Sequence, residues 1–189
     1  MRLAWIALAA GWSSAVSAQD LARWRPFVEE ASDRFDIPSA WIERVLDAES
    51  GGRTRRDGQP IVSRAGAMGL MQLMPGTWAE IRTRLGLGRD PHDPRDNIVA
   101  GAFYLRKMYD RFGYPGLFGA YNAGPLRYDA YLRHRRILPA ETRAYIATIV
   151  GMQTGAARAP RASRDPIFFL LSDSAPDRSA RGNRAKPDR

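Results

Sequence analysis

Apolar residues return every three or four positions along most of the chain, the spacing of helices that each bury one face. Leu21, Trp24, Val28, Ala31 and Phe35 form one such stripe. Trp41, Ile42, Val45 and Leu46 form a second, with Pro38 suited to its first turn and Gly51-Gly52 to its end. Pro75 predicts a helix running to about Leu85. Asp93-Pro94 predicts the start of a longer one, with Ile98, Ala102, Leu105, Met108 and Phe112 on its face. Short helices are expected over Gly116–Tyr121 and Pro125–Leu132, and Pro139 opens a last one bearing Tyr145, Ile146, Ile149 and Val150. Arg53–Ser63, with its arginines, Gly58 and Pro60, reads as a loop, and Gly66–Met74 as an apolar stretch punctuated by glycines. Alternation of period two is scarce. The expected class is mainly α, a single domain.

The two ends depart from this pattern. Met1-Arg2, the apolar run Leu3–Trp12 and the small residues up to Ala18 read as a secretory signal over residues 1–18, too short to span a bilayer comfortably. An uncleaved anchor is the alternative. Cleavage would leave an exported, periplasmic protein without a membrane span, expected as a monomer. The domain is expected over residues 19–156 and a disordered basic tail over 157–189, rich in Arg, Ala, Pro, Ser and Asp. Ile167-Phe168-Phe169-Leu170-Leu171 interrupts that tail, as a short docking strand or a local apolar cluster.

Composition removes several chemistries. The chain has 189 residues and no cysteine, so thiol nucleophiles, disulfides and cysteine metal sites are excluded. Its two histidines, His92 and His134, are far apart and set among charged or turn residues, a poor basis for a zinc site or a Ser-His-Asp triad. No metal or other cofactor is expected. The net charge is +9; Arg2 and a tail of net +4 account for part of it, leaving +4 on residues 19–156. An exported basic protein suits an anionic polymer such as a bacterial wall, or a membrane surface, better than nucleic acid. A solvated basic face is the plainer reading.

One carboxylate breaks the pattern. The next position on the stripe of Val45 and Leu46 is Glu49, at the last turn before two glycines. In apolar surroundings its pKa would rise above about 4.3 and the group would serve as a general acid. An ordinary helix-end glutamate in water, or one paired with Arg53, Arg55 or Arg56, has the same spacing. The stripe alone leaves both readings open.

Glu49-Ser50 is followed by Ser63-Arg64-Ala65-Gly66-Ala67-Met68-Gly69-Leu70-Met71-Gln72-Leu73-Met74-Pro75. Asp96-Asn97-Ile98 with Gly101 and Tyr104-Leu105 come next, then Ala120-Tyr121-Asn122-Ala123-Gly124 and Glu141-Thr142-Arg143-Ala144-Tyr145-Ile146. In this order and spacing they resemble the soluble lytic transglycosylase family over roughly residues 35–152. The resemblance implies a lysozyme-like fold and peptidoglycan as substrate. It makes Glu49 the sole catalytic acid and base, with Ser50 fixing its helix end. Ser63, Gln72, Met74 and Tyr121 match positions lining the cleft, Asn122 belongs to the tight turn after Tyr121, and Tyr145 matches a tyrosine that approaches the glutamate. Met71 and Met74 also read as plain core, and Asn97 and Gly101 as packing. The pattern departs from many relatives at Ala48, where they carry glutamine, and in a longer Arg53–Val62 loop.

Most glycosidases use two carboxylates. The resemblance implies one, which protonates the bond between N-acetylmuramic acid and N-acetylglucosamine and then deprotonates the same muramic acid's C6 hydroxyl, closing a 1,6-anhydro ring without water. A hydrolysing muramidase of the same fold is one alternative, for which Asp47, on another face of the helix, is a poor second carboxylate. A non-catalytic wall-binding or secretion-assembly protein is another. Small exported relatives with short tails are similar to those that open the wall for conjugation or secretion machines; general wall turnover is equally compatible.

Overall fold

The computed structural model describes residues 21–134 and 137–151. The expected signal segment, the tail and its IFFLL run lie outside the described residues. Helix α1 spans Arg25–Phe35, α2 Ser39–Ser50, α3 Pro75–Leu85, α4 Pro94–Phe112, α5 Gly116–Ala123, α6 Pro125–His134 and α7 Ala140–Gly151. Between α2 and α3 lies a small hairpin, β1 Arg55–Arg56 paired antiparallel with β2 Gln59–Pro60. The fold class is mainly α, as the periodicity predicts. Two corrections are local. Pro38 stands just outside α2, its carbonyl accepting the first helical bond from Trp41 N–H (2.8 Å), and Pro139 plays the same part for Arg143 (3.1 Å) before α7. The stretch Arg53–Ser63, read as a loop, contains the hairpin. Strands of two residues are too short to show alternation.

Local chemistry sets the helix ends. Pro94 opens α4 because its missing N–H is not needed there, and the Asp93 carboxylate accepts from Asp96 N–H at 2.8 Å. Helix α2 ends at Gly51 and Gly52, both left-handed (φ 61° and 69°), and Gly51 N–H donates to Asp47 O at 2.8 Å.

Helix α4 is the axis of the core. An unbroken run from Asn97 to Phe103 is buried, so the helix meets neighbours on every side. It packs against α1, α2, α3 and α5; α5 in turn carries α6 and α7. Trp41 of α2 anchors an aromatic cluster with Tyr109, Tyr114 and Phe118, at ring separations of 5.5, 5.3 and 5.9 Å. Gly119 lets α5 meet its neighbours closely: a Cβ there would lie 2.4 Å from the Tyr128 ring and 2.9 Å from Ile146 Cδ1.

The buried cation Arg106 ties α4 to the end of α1. That end lies at Asp36, a non-glycine residue at φ 48°. One Arg106 nitrogen donates to Phe35 O (3.0 Å) and Asp36 O (2.9 Å), and Nε donates to the Asp110 carboxylate at 2.9 Å. Its removal leaves these part-buried acceptors without their donor, and an unmade hydrogen bond at a group shielded from water costs about 1–3 kcal/mol. Arg106→Met is therefore expected to lower unfolding stability by at least about 2 kcal/mol in urea titration.

Candidate active site

The last turn of α2 aims Glu49 beside the core, and four hydrogen bonds fix the backbone around it. Ser50 is buried and its hydroxyl donates to Leu46 O at 3.1 Å, one turn back. After the break, Gly52 O accepts from Trp24 Nε1 and from Arg23, both at 2.8 Å. Arg53 Nε donates to Ser50 O at 3.2 Å.

Glu49 is half-buried: it keeps an opening to solvent while protein crowds its carboxyl group. Burial pushes its pKa up to about 7, and the negative charge of Glu141 pushes in the same direction. Tyr145, from α7, opposes them by donating its hydroxyl to Glu49 Oε1 at 2.8 Å. Burial also holds the Tyr145 and Tyr121 hydroxyls well above the usual phenol range, with the Glu49 charge adding to it. Both stay neutral hydrogen-bond donors. A carboxyl group with a pKa near neutrality, one oxygen fixed and solvent still within reach, is equipped to give a proton and take one back.

Tyr121, which feels the charge of Glu49, leads to the segment Met68–Met74, closed on itself by Met68 N–H to Leu73 O (2.9 Å) and Leu73 N–H to Met68 O (3.1 Å). Gln72 sits at φ 48° and its side-chain amide donates to Gly69 O at 2.7 Å. Tyr121 donates its hydroxyl to Met71 O at 2.8 Å, and its ring meets Tyr104 edge-on at 5.2 Å. Burial pushes the Tyr104 hydroxyl up to about 12, with the Glu80 charge adding to it. Ser63 precedes the segment and Met74 ends it. The Ser63 hydroxyl accepts from Ala67 N–H at 3.0 Å, and Met74 is 42% exposed, which removes the core reading for it; Met71 is fully buried and keeps that reading. Asn122 Oδ1 accepts from the buried Thr142 hydroxyl at 2.9 Å, joining α5 to α7 near Tyr145.

Two residues do more than the sequence reading gave them. Asn97, read as packing, is a buried polar clamp: its Oδ1 accepts from Met71 N–H at 2.7 Å, and its amide donates to Pro91 O (2.8 Å) and Met68 O (3.2 Å). The available signal was an amide on the apolar side of α4. Glu141, left without a role, is the second carboxylate whose charge reaches Glu49. Its signal was a place one helical turn before Tyr145.

Gly69 is fitted against the Asn97 clamp. It lies at φ 74°, and a Cβ would stand 2.4 Å from Asn97 Nδ2 and 2.7 Å from Pro91 O. Gly69→Ala is expected to lower stability by about 2 kcal/mol or more, and to reduce turnover because the Met71–Gln72 backbone must move. Thermal unfolding and turnover measured on one preparation check it. Wild-type values for both would mean the loop is not held as described.

The transglycosylase SLT domain model matches residues 26–143, well over half of the chain. The "Transglycosylase" of Enterobacteria phage PRD1 is 36% identical over 91 residues, covering 48% of this chain and 31% of that protein. The "Endo-type membrane-bound lytic murein transglycosylase A" of Klebsiella pneumoniae is 32% identical over 100 residues, covering 50% of this chain and 47% of the relative. The chain thus spans less than half the length of either relative. Among solved structures, an inactive Glu-to-Gln mutant of the lytic transglycosylase Slt of Pseudomonas aeruginosa superposes with a TM-score of 0.57 at 29% identity, over 67% of this chain and 22% of that one. With the family model spanning α1 to the start of α7, Glu49 included, the chain belongs to the transglycosylase SLT domain family.

Proposed function

We propose that the protein is a lytic transglycosylase that cleaves the β-1,4 bond between N-acetylmuramic acid and N-acetylglucosamine in peptidoglycan without consuming water. The observation that carries this reading is the Glu49 carboxyl, raised to about 7 by burial and held at Oε1 by Tyr145. Protonated Glu49 gives its proton to the linking oxygen as the bond to C1 breaks. The N-acetyl carbonyl of the muramic acid stabilises the positive charge at C1. Glu49, now ionised and still bonded to Tyr145, takes the proton of the C6 hydroxyl, whose oxygen attacks C1. The leaving strand carries off one proton, the enzyme regains another, and the product ends in a 1,6-anhydro ring. Attack from within the same sugar is favoured because the nucleophile is already beside the carbon. An inactive Glu-to-Gln mutant among the solved relatives fits a chemistry with one essential carboxyl.

Ser50 holds the end of the Glu49 helix from within. Ser63, Gln72, Met74, Tyr121 and Asn122 make up the wall that receives the amino sugars. The protein acts in the periplasm, in wall turnover or in opening the wall for a secretion or conjugation apparatus. Among the described residues, no helix is long and apolar enough to cross a membrane.

Glu141 supports a second reading, in which its carboxylate activates water and the enzyme hydrolyses the same bond. Digestion of purified peptidoglycan followed by fragment masses separates the two. Anhydro ends, lighter by one water, are expected; reducing ends throughout would establish the hydrolase. Intact strands would leave only a wall-binding role.

A further inference from the structure

Two consecutive glycines are the least restrained link a chain can place behind the Glu49 helix. Gly51 and Gly52 both lie in the left-handed region, at φ 61° and 69°, and glycine can leave that region more easily than any other residue. The helix end adds little restraint, because its last carbonyls have no partners within the helix. Gly52 is nevertheless buried, and its carbonyl accepts from Trp24 Nε1 and from Arg23, each at 2.8 Å. The Arg23 guanidinium lies 4.5 Å from the centre of the Trp24 ring, and that ring stacks on Phe27 at 6.4 Å. Trp24 is fixed in turn by the start of α1: its backbone N–H donates to Leu21 O, and its carbonyl accepts from Phe27 and Val28, all at 3.0 Å. Helix α1 is seated by buried Val28 and Ala31, and Arg106 holds its far end. Arg23 and Trp24 precede residue 26, where the family match begins.

We propose that Trp24 is a positioning residue for Glu49: its indole N–H, with Arg23 beside it, braces the glycine turn and so holds the last turn of α2 where the Glu49 carboxyl meets Tyr145. The catalytic meaning of this brace rests on Glu49 being the acid of the reaction. Gly52 stands three residues after Glu49, so freedom at its carbonyl passes along less than one helical turn to the carboxyl. The groups that act on the carboxyl come from other elements, Tyr145 and Glu141 from α7 and Tyr121 from α5. They act on it as described only while α2 ends in its present place. Burial is the largest influence on the Glu49 pKa, ahead of the Tyr145 bond that opposes it. A loosened helix end lets water reach the carboxyl and moves that pKa down, towards 4.5. Loss of the Tyr145 bond alone moves it up, so the sign of the change tells a missing brace from a missing phenol.

Trp24→Phe keeps an aromatic ring beside Phe27, removes the N–H and changes no charge. Amide hydrogen exchange should speed about fivefold at Gly51 and Arg53, whose N–H groups donate to Asp47 O and Ser50 O, and stay as in wild type along α4. Arg23→Met takes the other donor from the same carbonyl and should speed the same two amides. In Trp24→Phe the carboxyl titration midpoint of Glu49, read by ¹³C NMR, should fall by roughly a few tenths of a unit. Its kcat on soluble peptidoglycan fragments should fall roughly two- to tenfold, the range of one hydrogen bond, with KM little changed. Wild-type exchange at Gly51 and Arg53 in either variant overturns the proposal, as does an unmoved Glu49 midpoint or a rise in exchange shared equally by α4. A lowered midpoint in Trp24→Phe together with full activity of Glu49→Gln overturns the lytic reading and leaves the brace on Glu49 standing.

Discussion

Glu49→Gln is expected to fold and to lose lytic activity by at least about 10²–10⁴-fold, the range that general acid–base catalysis supplies. The amide keeps the shape of the side chain and can still accept from Tyr145, but it has no proton to exchange near neutrality. A pH dependence of stability should identify the same group. Burial raises the folded pKa of Glu49 from 4.5 to about 7, so between those values the native state holds a proton that the unfolded chain has released. Wild-type stability therefore falls as pH rises through that window, and Gln has no such term. The variant should match wild type near pH 4 and exceed it by about 1–3 kcal/mol near pH 8, once partial solvent access to Glu49 is allowed for. Turnover above a tenth of wild type would remove Glu49 from the centre of the mechanism.

Tyr145→Phe is the second change with a large expected effect. The phenol donates to Glu49 Oε1 at 2.8 Å and favours the ionised carboxylate. A hydrogen bond to a charged group contributes about 1.5–3 kcal/mol, and one pKa unit corresponds to about 1.4 kcal/mol. Losing it should raise the Glu49 pKa by on the order of one unit and move the alkaline limb of the kcat/KM profile upward by as much. Turnover should fall roughly tenfold or more, because the carboxylate is no longer held in place for its second step, taking the C6 proton. A loss of turnover with an unmoved alkaline limb would mean that Tyr145 supports the helix and not the carboxyl.

These two residues also mark how far the sequence can be read. Glu49 draws notice because its stripe and its helix stop are local in the chain, but that pattern leaves two readings open and the role comes only with the resemblance of the wider motif set. Most helix starts are legible because a proline or a capping aspartate acts within one turn. The bond from Tyr145 to Glu49 joins residues 96 apart, and no local pattern encodes it. It is foreshadowed only by the resemblance of its motif. Asn97 is a harder case. A buried amide on a core helix looks like packing until its partners are seen, and the Met71 N–H it accepts from lies 26 residues earlier. Glu141 acts through its charge across a gap, with no bond to reveal it. The hairpin left almost no trace, because two residues per strand carry no period and its order comes from Ile61 and Gly69 bonding to each other.

Whether Glu49 keeps its proton close to neutral pH is measured most directly by a ¹³C NMR titration of glutamate carboxyls in the folded protein, with Glu49→Gln used to assign its signal. A midpoint near 7 is expected for Glu49. It should move further upward in Tyr145→Phe, which loses the bond favouring the ionised form. A midpoint near 4.5, the ordinary value for a glutamate in water, would mean that Glu49 is ionised at the pH of the wall and has no proton to give, contradicting its role as the acid.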